Sequence, residues 1–333
     1  MRAFIFCAAM LILSCNFAGA QIVDKPDKPM GIALEELSYP HPVHFLNFKF
    51  RGEDARMAYM DVKPSGNSSG RVVLLFHGKN FFGEYWSNTI AVLANAGYRV
   101  VVPDQIGFGK SSKPDIHYSF HEMAAQTKEL LEQLGISRVA VVGHSMGGML
   151  ATRFALLYPE SVTELTLEDP IGLEDYREKV PFLELQRVYA GNLKATEESI
   201  RNYFKTYFVT WKPEYEKYVQ AQCRQTLSGE YPRLAWSSAL TEEMIYEQPV
   251  CHEFQLLKPK TLLIIGQSDR TTIGRNRVSA EVLKTLGQYP ELGRKTAKII
   301  PNGRLVEVPQ VGHIPHLEAP EIFHRELLKF LSE

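Results

Sequence analysis

Two runs near the start of the chain, VHFLNFKF (43–50) and ARMAYMDV (55–62), flank RGED, whose Gly52 and Asp54 suit a turn, so they predict an opening β-hairpin. Six later runs are mostly continuous and rich in β-branched residues: RVVLLF (71–76), YRVVVP (98–103), RVAVVG (138–143), VTELTL (162–167), KTLLII (260–265) and RLVEVP (304–309). A strand buried on both faces needs apolar side chains on both sides, so these six predict the interior of a parallel sheet. Helical spacing lies between them, near 85–96, 119–134, 146–158 and 318–331. The order β, β, then repeated β and α, predicts an α/β fold with a mixed, mostly parallel eight-stranded sheet and helices on both faces.

Residues 171–257 break that rhythm. They are rich in Glu, Lys, Arg, Tyr and Trp, and stretches such as TEESIRNYFKTYFVTW predict short amphipathic helices. The expected organisation is a core of residues 21–170 and 258–333, with 171–257 inserted as a mainly helical cap. A second, smaller helical excursion is expected over 276–298.

The first twenty residues have a different character: Arg2, the apolar run FIFCAAMLIL, then small residues ending at Ala18 to Ala20. That pattern predicts a secretory signal cut after Ala20, and hence a periplasmic or secreted protein. The stretch ILSC also resembles a lipobox that would anchor the chain through a lipid on Cys15, and both outcomes stay open. The apolar run is about half the ~20 residues needed to span a bilayer, so no transmembrane segment is expected in the mature chain.

Composition narrows the partners. With 37 basic against 38 acidic residues the formal net charge is −1, which offers no field for nucleic acid, and a small-molecule substrate is expected instead. Cleavage would leave Cys223 and Cys251, and an oxidising compartment permits a disulfide between them as readily as two buried thiols. No metal is expected, because H-E-x-x-H is absent and the two cysteines lack zinc-site partners. GFGKSS imitates the tail of a phosphate loop, but the glycine required five residues before Gly109 is Asp104. No cofactor is expected.

The chemistry sits in VAVVGHSMGGMLATRF, where Gly143 and Gly147 flank Ser145 as G-x-S-x-G at a strand-to-helix crossing. Such a sharp turn holds a serine clear of the sheet, where it can serve as a nucleophile or simply cap the helix. A serine is a poor nucleophile alone and needs a base, and the base needs a carboxylate to fix its tautomer. His313 follows the last expected strand in VPQVGHIPHLEAPE, and Asp269 follows the strand before it in LLIIGQSDR. Asp169, in LTLEDPIG, is the alternative acid, and His316 is a rival histidine.

At these residues the chain resembles an α/β-hydrolase with a helical cap, over about residues 40–332. HGKN is similar to that superfamily's oxyanion turn, PDQIGFGKSSKP to the loop after the next strand, and GHSMGG, GQSDR and VGHIPHLEAPE to its nucleophile, acid and histidine loops. The resemblance implies a triad of Ser145, Asp269 and His313, with the N–H of Met146 and of Lys79 forming the oxyanion hole. HGKNFFGEYW and PDQIGFGKSSKP resemble the loops of haloalkane dehalogenases and epoxide hydrolases, but those relatives carry aspartate where this chain has Ser145. HGKNF also departs from the His-Gly-Gly-Pro-Gly turn of proline iminopeptidases. Phe81, Phe82 and Trp86 are expected to line an apolar pocket.

The expected activity is hydrolysis of a carboxylic ester, lactone or thioester of a small to medium, partly apolar substrate through an acyl-enzyme. A carbon–carbon bond hydrolase of the meta-cleavage-product type and a non-catalytic binding protein on the same fold stand as alternatives.

Overall fold

The computed structural model describes residues 28–333. The expected signal segment 1–20 and Cys15 lie outside these described residues. Eight strands form one sheet in the order β1-β2-β4-β3-β5-β6-β7-β8: β1 (Val43–Phe50), β2 (Glu53–Val62), β3 (Val72–Phe76), β4 (Arg99–Pro103), β5 (Val139–His144), β6 (Val162–Glu168), β7 (Lys260–Gly266) and β8 (Gly303–Val308). β2 runs antiparallel to both β1 and β4, and every other pairing is parallel. The opening hairpin turns on Arg51 and Gly52, both at positive φ, so Asp54 belongs to β2 and not to the turn.

The continuously apolar strands divide their side chains between two cores, as the two-residue period of a strand dictates. Leu74, Phe76, Val139, Val141, Leu263 and Ile265 face one core. Their neighbours Val73, Leu75, Ala140, Val142, Leu262 and Ile264 face the other. At about 1.5–3 kcal/mol for each fully buried large aliphatic side chain, these central strands make the sheet the most strongly determined part of the chain.

Helices cover both faces. α1 (Ser87–Asn95) packs on the second core, while α2 (Phe120–Gln133) and α3 (Met146–Leu157) pack on the first. Ser119 caps α2 by accepting the His121 N–H. Between β6 and β7 come α4 (Leu185–Asn192), α5 (Glu197–Lys205), α6 (Glu216–Thr226) and α7 (Tyr231–Glu247). Thr196 and Ser199 form a reciprocal capping box that starts α5. Leu240 and Met244 of α7 join the first core; Ile200 and Phe204 of α5 and Val219 of α6 join the second. α8 (Ala280–Leu283) and α9 (Tyr289–Ile299) precede β8, and α10 (Pro315–Glu318) and α11 (Pro320–Leu331) follow it. No described helix is long and apolar enough to cross a membrane.

Cys223, buried on α6, and Cys251 are separate free thiols, which resolves the pairing left open by the sequence.

Candidate active site

Ser145 sits at the crossing from β5 to α3 with φ 56° and ψ −121°, a strained backbone for a residue with a side chain. Two close approaches make that crossing possible. A Cβ on Gly143 would lie 2.3 Å from the Gly147 carbonyl oxygen, and one on Gly147 would lie 2.4 Å from that of Phe76. Glycine is therefore required on both sides of the serine, so that α3 can pass directly over the ends of β5 and β3. Met146 becomes the first residue of α3, where the N–H has no acceptor within the helix and the helix dipole favours negative charge.

The ends of β7 and β8 supply the next two groups. His313 Nε2 lies 2.9 Å from Ser145 Oγ, and His313 Nδ1 lies 2.7 Å from Asp269 Oδ2. The other Asp269 oxygen accepts the Thr271 N–H at 2.7 Å. All three side chains are buried; Ser145 is 6% exposed and His313 1%. Asp169 takes a different place: both of its oxygens stand 3.0 Å from the Gly266 N–H. Burial, and then the charge of neighbouring Asp269, push its pKa well above the ordinary carboxylate range.

The turn after β3 faces the serine. His77 is buried, and its Nε2 accepts the Gln105 N–H, so Nδ1 carries the proton and donates to the Gly78 carbonyl at 2.9 Å. Burial holds this imidazole below its usual pKa and so neutral. In a trans peptide the C=O and N–H point opposite ways, so fixing the Gly78 carbonyl on His77 turns the Lys79 N–H away from His77. The Lys79 side chain leaves the turn altogether: its Nζ donates to the Ser238 carbonyl at 2.8 Å, and to the Ser238 and Thr241 hydroxyls of α7.

The aromatic residues after the turn are packing groups. Phe81 is stacked on Tyr85 and meets Phe204, Tyr207 and Tyr218 at its edges and flanks. Phe82 packs against Tyr39 and Tyr218. Trp86 is fully enclosed and lies flat on His316 at 4.1 Å, which corrects its expected place on a pocket wall. His316, the rival histidine, is bonded through Nδ1 to Glu168 at 2.9 Å and has no contact with Ser145 Oγ among its hydrogen bonds. Two surface hollows of about 450 and 500 Å³ border the β1–β2 hairpin, and neither includes Ser145, Asp269 or His313.

Sequence reasoning missed Tyr207, which follows α5. Its ring is stacked on His313 at 5.2 Å, its carbonyl accepts the His313 N–H at 2.7 Å, and its hydroxyl accepts from Asn80 at 3.1 Å. Nothing in the pattern of the inserted segment marks this tyrosine among its many aromatic residues. Chemically, the arrangement holds a hydroxyl against a buried imidazole that is oriented by a carboxylate, beside a helix N-terminus. Such a constellation is suited to acyl transfer.

A family model described as "alpha/beta hydrolase fold" matches residues 71–320. The crystal structure of a probable hydrolytic enzyme from Pseudomonas aeruginosa PAO1 is 47% identical, with a TM-score of 0.89 over 92% of this chain and 99% of that one. Lipase 1 of Psychrobacter immobilis is 28% identical over 270 residues, 79% of this chain and 77% of the lipase. Lipase 3 of a Moraxella species is 28% identical over 271 residues, again 79% of this chain and 77% of that protein. The chain belongs to the alpha/beta hydrolase family and is a hydrolase.

Proposed function

We propose that this protein is a serine hydrolase that cleaves carboxylic esters of small to medium, partly apolar substrates through an acyl-enzyme. The observation that carries the reading is the run of contacts from Ser145 Oγ to His313 Nε2 at 2.9 Å and from His313 Nδ1 to Asp269 at 2.7 Å, on a serine held at positive φ. Lipase 1 and Lipase 3 give the ester its support by their names.

In this reading Ser145 Oγ attacks the ester carbonyl carbon while His313 Nε2 takes the hydroxyl proton, and Asp269 stabilises the resulting imidazolium. The N–H groups of Met146 and Lys79 hold the tetrahedral oxyanion; each such donor typically contributes about 3–4 kcal/mol in the transition state. Collapse breaks the bond to the alkoxy group, which leaves as the alcohol with the proton from His313. Water then attacks the acyl-serine by the same route, releasing the acid and restoring Ser145. Asp169 takes no part in orienting the base, because its carboxyl oxygens meet the Gly266 N–H while Asp269 holds His313.

The test is a fluorophosphonate probe on the purified protein, read by peptide mass spectrometry, with a panel of p-nitrophenyl esters of increasing acyl length. An adduct on Ser145 and turnover of esters, both lost in Ser145→Ala, are the expected results. A folded protein that neither labels at Ser145 nor hydrolyses any ester overturns the reading.

A further inference from the structure

A buried chain of hydrogen bonds runs behind the nucleophile, and the acyl-transfer steps do not use it. The Gly78 N–H donates to Tyr85 Oη at 2.9 Å, Tyr85 Oη lies 3.0 Å from His144 Nδ1, and His144 Nε2 lies 2.8 Å from the carbonyl oxygen of His313. The direction of every bond is determined. A carbonyl only accepts, so His144 Nε2 carries the proton. A neutral imidazole has one N–H, so Nδ1 is bare and must accept from the Tyr85 hydroxyl, whose oxygen in turn receives the Gly78 N–H.

Both side chains hold these protonation states firmly. His144 is fully buried, and burial together with His313, His316 and His77 keeps its pKa well below the usual histidine value. Burial, reinforced by the charge of Glu168, keeps the Tyr85 phenol protonated. The chain also lies hard against the reacting groups. A Cβ on Gly78 would come within 2.8 Å of His144 Nδ1 and 3.0 Å of Ser145 Cβ, so the turn rests directly on the nucleophile and its neighbour.

We propose that Tyr85 and His144 are positioning residues that fix the oxyanion turn at Gly78–Lys79 to the loop bearing His313, so that oxyanion donors and base keep one geometry about Ser145. This rests on the acyl-transfer reading of the site. The two ends of the chain are the two partners that must be in register in the transition state, one beside the developing oxyanion and one carrying the proton. Neither Tyr85 nor His144 needs to touch the substrate for this. Their loss therefore changes the rate of the chemical step and leaves ground-state binding nearly unchanged.

Tyr85→Phe is the direct test, because the ring keeps its stacking on Phe81 at 4.8 Å and its edge contact with His316 at 4.6 Å, and only the hydroxyl goes. The expected result is a kcat about 10- to 100-fold lower on a p-nitrophenyl ester, with KM within about twofold. Affinity for a boronic acid, which forms a tetrahedral oxyanion on the serine, should fall in step with kcat/KM. His144→Gln, which retains a donor for the His313 carbonyl, should keep about tenfold more kcat than His144→Leu, and this pair decides the matter should Tyr85→Phe fail to fold. A wild type that labels at Ser145 and turns over, with a folded Tyr85→Phe of unchanged kcat or with His144→Gln and His144→Leu equal, overturns the proposal alone. A wild type that neither labels nor turns over overturns the acyl-transfer reading, and the proposal with it.

Discussion

Gly147→Ala tests the reason for the motif around Ser145. The added Cβ would stand 2.4 Å from the Phe76 carbonyl oxygen and 2.6 Å from that of His77, whereas ordinary contact begins at 3.4 Å, so α3 must withdraw by about 1.0 Å. Neither obstacle can rotate aside, because both are backbone atoms at the end of β3, whose neighbour in the sheet is β5. Overpacking of this kind costs about 1–3 kcal/mol, and at about 2.1 cal/mol/K of unfolding entropy per residue that lowers Tm by roughly 2–5 °C. The larger effect falls on rate. Ser145 and Met146 move with α3 while Gly78 and Lys79 stay with β3, and a displacement of about 1 Å between reacting groups can cost about 100-fold. Gly191→Ala is the control: it lies on α4 with nothing within 4 Å of the new methyl, so it should gain about 0.4–1 kcal/mol and keep its kcat. Thermal melts and initial rates on one p-nitrophenyl ester check both variants. A Gly147→Ala protein with wild-type Tm and kcat, or one no worse than Gly191→Ala, would refute the close-approach argument.

Three further outcomes follow from the buried polar groups. Asp269→Asn should lower kcat by about 10⁴-fold by favouring the wrong tautomer of His313, whereas Asp169→Asn, which changes a side chain bonded to the Gly266 N–H and not to His313, should cost less than about tenfold; kinetics showing the reverse order would move the acid to Asp169. Lys113 is buried, donates to the carbonyls of Gly109 and Ser111, and is pushed down to about 7 by desolvation, with Asp104 opposing. Its folded pKa is below the unfolded one, so the unfolded chain binds more protons between about pH 7 and 10, and the contribution to stability rises with pH across that window and is at its worst below it. Lys113→Met should therefore compare best with wild type near pH 6.5 and lose that standing by pH 9.5 in urea melts; a difference independent of pH would contradict the burial argument. His316→Ala removes the imidazole that bonds the enclosed Glu168 side chain and stacks on Trp86, leaving the backbone N–H of residue 316 on Glu168, and should cost about 2–3 kcal/mol in the same melts, an expectation that fails if the loss is below about 1 kcal/mol.

The sheet was legible because its physical demand is local. A strand enclosed on both faces must be apolar at every position, and runs such as VVLLF and VAVV carry that demand within a few residues. The same holds for Ser145, where the glycines forced by the crossing stand two residues to either side, and for Asp269 and His313, each just beyond the end of a recognisable strand. Residue types at Lys79, Trp86 and Asp54 were equally visible, but their directions were not. The course of the Lys79 side chain, toward α7, depends on Ser238 and Thr241, about 160 positions away in the chain. Trp86 was expected on a pocket wall, and only its enclosure against His316 placed it in the core.

Tyr207 marks where this kind of reading ends. Its stacking on His313 joins two residues that are distant in sequence and related by no periodicity, because the inserted helices satisfy their amphipathic pattern whichever aromatic ring meets the core. The chain from Gly78 through Tyr85 and His144 to His313 is of the same kind. Each link is unremarkable as a residue, and only the directionality imposed by one carbonyl acceptor and one imidazole proton turns three contacts into a single arrangement. Local sequence thus carries the parts that the proposed mechanism uses, while the parts that hold them in register are written in pairings across the fold.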